Sequence, residues 1–220
     1  CQAGATLFMA MLSCIKVLLY RHTAQEDLCV GTPVAGRIHH DLDSQIGPYL
    51  HVLALRDTVV GDDTLASVLD AVRQTTLDAY ANQFYPFDRV VDDLRVKRDP
   101  TRNPLFDVGF TLQNQHEVHV RDTSLHIAIS DLMGHDESFE DPEAATDLWF
   151  VARRDDRNVA LQVVYNGALF RSDTIDTLSR DLQDILLAMA TTPDGRVKAV
   201  ALGASNNPPV RRKITIDLGL

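Results

Sequence analysis

The chain has 220 residues, 45% of them apolar and 24% charged, with a formal net charge of -10. These fractions are those of an ordinary globular protein, and the acidic balance excludes a general nucleic-acid binder, which needs a lysine and arginine face to neutralise phosphate. The length fits one well-buried unit, and three cysteines (Cys1, Cys14 and Cys29) without C-x-x-C spacing speak for a reducing cytoplasm rather than a disulfide scaffold.

From Thr6 to Arg21, Leu7, Phe8, Met11, Leu12, Ile15, Leu18 and Leu19 recur at helical spacing and predict a helix buried on most sides. Lys16 interrupts this apolar run, which is shorter than the roughly 20 residues a membrane span needs. The same segment lacks the basic start and small-residue cleavage site of a signal peptide. A chain that opens on Cys1 and enters an apolar helix at once reads as part of something larger. Leu28 to Gly31 predicts a short strand stopped by Gly31, Pro33 and Gly36. The nearly continuous apolar run Tyr49 to Arg56 predicts a central strand covered on both faces.

Between Asp62 and Phe84 a helical period returns through Leu65, Val68, Leu69, Val72, Thr76, Leu77 and Tyr80, with Asp62 or Asp63 as N-cap. Pro86 suits the first turn of a short helix through Leu94. Arg95 to Pro104 is loop-like, and strands are expected at Leu105–Leu112, Leu125–Ser130, Leu148–Arg153 and Val159–Tyr165, the last two as a hairpin. An amphipathic helix follows from Asp173 to Ala190, with Ile175, Leu178, Leu182, Ile185 and Leu186 on one stripe. After Thr192 the pattern fades. The fold class is α/β, a layered mixed sheet with flanking helices over residues 1–200, and residues 201–220 read as tail or linker.

Chemistry is sparse. His39 and His40, with Asp41 and Asp43 nearby, attract attention as a metal or proton-transfer group, but adjacent residues point in different directions, so a surface loop is the better reading. His51 inside a strand is a hydrogen-bonded core residue or one facing a cavity. His116, His119, His126 and His135 fall in a polar, acidic stretch and read as solvated. No nucleophile elbow, phosphate loop, dinucleotide or zinc signature occurs, so no catalytic residue and no metal or directly bound cofactor is assigned in this chain.

Several stretches, in order, resemble the second lobe of condensation domains of nonribosomal peptide synthetases, within the chloramphenicol-acetyltransferase-like superfamily. Gln25 to Arg37 resembles Q-x-D-I-x-V-G-T-P-V-A-G-R, with Leu28 a mild substitution. Ile46 to Arg56 resembles I-G-x-F-V-N-T-L-x-L-R, with His51 where Asn is usual. Tyr80 to Asp88 resembles Y-A-H-Q-D-x-P-F-E, with Asn82 and Phe84 in place of His and Asp. Arg98 to Phe106 is similar to R-D-x-S-R-N-P-L-F almost residue for residue, and Tyr165 to Phe170 resembles Y-N-x-x-L-F.

The resemblance implies one lobe of a two-lobed V with a tunnel between the lobes. Phosphopantetheine arms of donor and acceptor peptidyl carrier proteins would enter that tunnel from opposite faces, and an amide would form there. The family's H-H-x-x-x-D-G motif, with its catalytic histidine, belongs to the N-terminal lobe. His39-His40 is not that motif, since Ser44 stands where Asp is required. By resemblance Arg37 pairs with the motif's Asp across the lobes, although it is also placed to anchor its own loop. Asn103 either faces the tunnel or serves the turn before Pro104, with Asp99 and Arg102 bracing that loop. Gly47, Tyr49 and His51 are candidates for the tunnel wall. Such a lobe alone is expected to be inactive. A noncatalytic docking or recruitment module of the same fold is the alternative, and neither reading requires nucleic acid or a membrane.

Overall fold

The computed structural model describes residues 4–37, 40–42, 45–47, 49–96, 99, 102–113, 146–154, 158–203 and 214–217. The strand expected at Leu125–Ser130 and His39, His116, His119, His126 and His135 lie outside them. Helix α1 (Leu7–Thr23) starts at Thr6, whose hydroxyl accepts from the Met9 N–H at 3.3 Å. It is followed by strands β1 (Asp27–Val34) and β2 (His51–Thr58), then helices α2 (Leu65–Ala81) and α3 (Phe87–Asp93). Strands β3 (Val108–Gln113), β4 (Leu148–Arg154) and β5 (Asn158–Tyr165), helix α4 (Ser172–Thr191) and strand β6 (Ile214–Asp217) complete the order.

Among the described residues the strands form one mixed sheet in the order β2-β1-β3-β4-β5-β6. The β1–β3 and β3–β4 pairs are parallel and the rest antiparallel. Alternate positions on the strands supply one buried face: Leu28 and Val30, Leu53 and Leu55, Phe110, Leu148 and Phe150, Val159 and Leu161. Helices α1, α2 and α4 close over that face, α1 contributing Leu12, Ile15 and Leu18, and α4 the stripe Ile175, Leu178, Leu182 and Ile185. On the opposite face glycine does the fitting. A Cβ at Gly31 would overlap the Phe106 ring, and one at Gly109 the Trp149 ring, so two aromatic side chains lie flat on the backbone of paired strands.

Several expectations need correction. The Tyr49–Arg56 run is not a central strand. Among the described residues β2 is the edge of the sheet, with Leu53, Leu55 and Asp57 buried and Arg56 and Thr58 exposed. Its outward positions carry the short side chains of Val52 and Ala54, which made the sequence look apolar on both faces. β1 continues through Gly31 and Pro33, because its pairing with β3 involves only Val30 and Gly31, so proline costs no ladder bond to that neighbour. The N-cap of α2 is Thr64, whose hydroxyl accepts from Ser67 N–H at 3.1 Å. Asp63 instead accepts from Val60 N–H, and Asp62 pairs with Arg196 and Lys198 at 2.7 and 2.6 Å. The β3 strand begins at Val108 rather than Leu105, because Asn103 holds the preceding residues in a turn. Further along, Ile214–Asp217 pair antiparallel with β5, as suits a run of three β-branched residues.

Lys16 is fully buried, on the core side of α1. Its ammonium donates to the Leu55 carbonyl at 2.9 Å and to the Asp57 carboxylate, whose other oxygen accepts from Thr75 Oγ1 at 2.5 Å. Burial pulls the Lys16 pKa below its usual value, and Asp57 opposes that shift. The group ties α1, β2 and α2 together. Cys14 is buried beside it on α1, and desolvation pushes its thiol up to about 12. Among the described residues no helix is long and apolar enough to cross a membrane.

Removing one partner of a buried pair strands the other charge, so Lys16→Ala should lower unfolding stability by about 3–5 kcal/mol in urea denaturation. The triple variant Lys16→Met, Asp57→Leu, Thr75→Val should recover most of that loss, and equal damage by both would mean that the pairing is not what matters. Because Cys14 stays a buried, protonated thiol, its alkylation at pH 8 should proceed only as fast as the protein unfolds. Rapid labelling in native buffer would contradict its burial.

Candidate functional site

The chain leaves β1 at Val34 and re-enters the sheet at His51, directly opposite it in the antiparallel register. The returning loop must therefore turn back within this end of the sheet. Gly36 makes that possible. Its φ is +61°, and a Cβ there would run into the Tyr49 carbonyl oxygen and the His51 ring. The loop's two limbs are thus pressed together at a point where only hydrogen fits.

Arg37 follows at once. Its guanidinium carbon lies 4.4 Å from the centre of the Tyr49 ring, and one guanidinium nitrogen donates to the Leu42 carbonyl. Tyr49 donates its hydroxyl to Gln45 Oε1 at 2.7 Å, and its N–H to the Gly47 carbonyl at 3.1 Å. The half-buried His51 meets the Phe84 ring edge-on, with centroids 6.0 Å apart and planes at 79°. Arg37, Gly47, Tyr49 and His51, chosen from motifs, thus share one corner of the sheet. Phe84, noted in the sequence only as a departure from a pattern, joins them because α2 runs back to that corner. His40 sits in a short 3-10 turn, its side chain 95% exposed and 3.8 Å from Asp41, as a surface loop requires.

The second group lies elsewhere. Asn103 Oδ1 accepts from the backbone N–H groups of Leu105 and Phe106 at 3.0 and 3.3 Å, an Asx turn that delivers Phe106 onto Gly31. Arg102 grips Asp107 through two bonds, Nε–Oδ1 at 3.1 Å and Nη2–Oδ2 at 2.6 Å, with Asp147 at 4.0 Å. Its backbone N–H donates to the Asp99 carbonyl at 3.2 Å. Asp107 holds the Arg102 pKa above its usual value. This loop enters β3 level with Val30, whereas the Arg37 loop leaves beyond the far end of β1. Since β1 and β3 are parallel, the structure sets the two groups at opposite ends of the strand pair. Asn166 does similar work before α4: its side-chain oxygen accepts from Ala168 N–H, and its carbonyl from Leu169 and Phe170 N–H. Among the described residues no group of His, Cys, Asp and Glu is arranged to hold a metal ion.

The frame of both groups is a mixed sheet with α1, α2 and α4 on one face and loops pinned by Gly36 and Asn103. The condensation domain family model matches residues 1–207, and the chain belongs to that family. It is 38% identical over 195 residues to surfactin synthase subunit 1 of Bacillus subtilis (strain 168), covering 88% of this chain and 5% of that protein. It is also 35% identical over 196 residues to tyrocidine synthase 3 of Brevibacillus parabrevis, covering 88% and 3%. Among solved structures, a four-domain nonribosomal peptide synthetase bound to AMP and glycine superposes with a TM-score of 0.71 at 22% identity, over 88% of this chain and 15% of that one. The chain thus spans a small part of the proteins it matches.

Gly36→Ala should cost the fold roughly 1–3 kcal/mol in urea unfolding, from left-handed strain and the overlap with Tyr49 and His51. Gly203 provides the control, with a φ of +72° and open space around its would-be Cβ. If Gly36→Ala is no worse than Gly203→Ala, the close approach of the two loop limbs is not a constraint.

Proposed function

We propose that this chain is the C-terminal lobe of a condensation domain that forms an amide between a carrier-bound acyl or peptidyl thioester and a carrier-bound aminoacyl group. The observation that carries this reading is the condensation match over residues 1–207, which spans the whole described sheet except β6. In the reaction the acceptor's amine nitrogen attacks the donor's thioester carbonyl carbon. The C–N bond forms, the C–S bond breaks, and the proton given up by the amine nitrogen ends on the departing sulfur, so that the donor's pantetheine leaves as a thiol. Rate then comes from holding two tethered reactants in attacking geometry and from electrostatic help at the tetrahedral carbon.

The proton-handling histidine belongs in this reading to the N-terminal lobe, so the present lobe alone makes no amide. Its own part is positional. Arg37 has its charge over the Tyr49 ring and one N–H on the Leu42 carbonyl, contacts that hold the guanidinium in one place. A guanidinium can meet a ring face and a carboxylate at once, because it offers its plane to one and its edge to the other. Arg37 accordingly braces the aspartate of the partner lobe's histidine motif. Tyr49, Gly47 and His51 line the tunnel, while Asp99, Arg102 and Asn103 set the loop that seats Phe106. Donor and acceptor peptidyl carrier proteins are the partners, the substrates ride on their phosphopantetheine, and the protein acts in the cytoplasm.

The test is amide formation by the intact parent domain with loaded donor and acceptor carrier proteins. Arg37→Ala should lower the rate by about 10- to 100-fold, the worth of one charge-assisted hydrogen-bonded pair. Arg37→Lys should recover little of it, since an ammonium lacks the planar fork. A parent domain that forms no amide would overturn the condensation reading. A rate unmoved by Arg37→Ala would remove Arg37 from the bracing role.

A further inference from the structure

The corner built by Gly36 shows aromatic surface to the outside. Phe84 is 46% exposed although it sits in an ordered turn, in which Tyr85 N–H donates to the Asn82 carbonyl at 3.0 Å. The His51 ring supports it edge-on, and Gly36 leaves room for that ring. Tyr85, Leu50 and Ile46 are also exposed on the neighbouring segments. Phe84 is not needed to fill the core, which closes beneath α1, α2 and α4 without it. An ordered turn that holds a phenyl ring against water at a cost of roughly 25 cal/mol per Å² leaves an apolar surface that gains by being covered.

His51 and Phe84 come from segments far apart in the chain, and in the fold their rings meet edge-on. Two rings are thereby brought together at a single point. That point adjoins Tyr49 and Arg37, where the preceding reading puts the tunnel. We propose that His51 and Phe84 form a specificity-determining wall, against which the side chain of one carrier-bound aminoacyl group packs, favouring aromatic and bulky apolar side chains over small ones. The proposal rests on the condensation reading. It adds the chemical class of substrate and a residue, Phe84, that acts on it.

The experiment uses the intact parent domain with carrier proteins loaded with phenylalanyl or alanyl groups in competition, the mixture being placed first on the acceptor and then on the donor. Wild type should favour the phenylalanyl group on one of the two arms, and that arm identifies which substrate the wall reads. On it, Phe84→Ala should cut the preference about tenfold, Phe84→Leu should keep most of it, and His51→Asn with Phe84→Asp should abolish it. Thermal unfolding of each variant separates loss of selectivity from loss of fold. A wild-type preference for alanyl, or a ratio that Phe84→Ala leaves unchanged on both arms, overturns the proposal. So does an equal slowing of both substrates, which would make the pair a support of the loop. Absence of any amide from wild type fails the condensation reading itself, and is seen before any variant is compared.

Discussion

A buried ammonium must find an anion, and the arrangement of this fold depends on how Lys16 does so. Helix α1 presents it among Leu12, Ile15 and Leu19, where only a carboxylate that is itself buried can answer it. Asp57 on β2 does, and Thr75 on α2 takes the remaining oxygen. A purely apolar core would tolerate sliding of α1 along the sheet, whereas a charge pair with one hydrogen-bonding solution favours one register. The edge strand, the helix over it and the helix beside it are therefore set in one relation, and the end of β2 that carries His51 is set with them.

From that frame the site follows by topology. The antiparallel pairing of Val34 with His51 brings the Gly36–Arg37 segment against Tyr49, and the return of α2 along β2 brings Phe84 to the same corner. Glycine is needed at two kinds of place for one reason, close approach. Gly36 admits a carbonyl and an imidazole, while Gly31 and Gly109 admit the rings of Phe106 and Trp149. Helices α1, α2 and α4 cover one face of the sheet, and the other receives the rings of Phe106 and Trp149, with Phe87 of α3 against Phe106.

Much of this was legible in the residues. The spacing of Leu12, Ile15 and Leu18, and of Ile175, Leu178 and Leu182, predicts α1 and α4, and the turn-forming residue types from Asp155 to Asn158 predict the β4–β5 hairpin. What was not legible depends on partners distant in the chain. An apolar run shows that a strand is apolar, not whether it has one neighbour or two, so β2 read as central. Aspartate has the chemistry of an N-cap, yet Asp62 is drawn to Arg196 and Lys198, and Thr64 caps instead. Lys16 registered only as an interruption, although a lone cation on an apolar stripe signals a buried anion elsewhere. The motifs picked out Arg37, Tyr49 and His51 separately. That the first lies over the second, and that Phe84 touches the third, required the fold.

The order of strands also bears on how the sheet is made. β3 stands between β1 and β4, yet it is joined to β1 through β2, α2 and α3, and to β4 through a further long connection. During synthesis β1 and β2 can pair early, while the edge of β1 that awaits β3 stays open until both helices have emerged. Parallel pairings of such long separation form slowly, because loop closure precedes the contacts that reward it. On this topology the sheet is completed late, by the arrival of β3, and the nascent chain carries an unsatisfied strand edge in the interval.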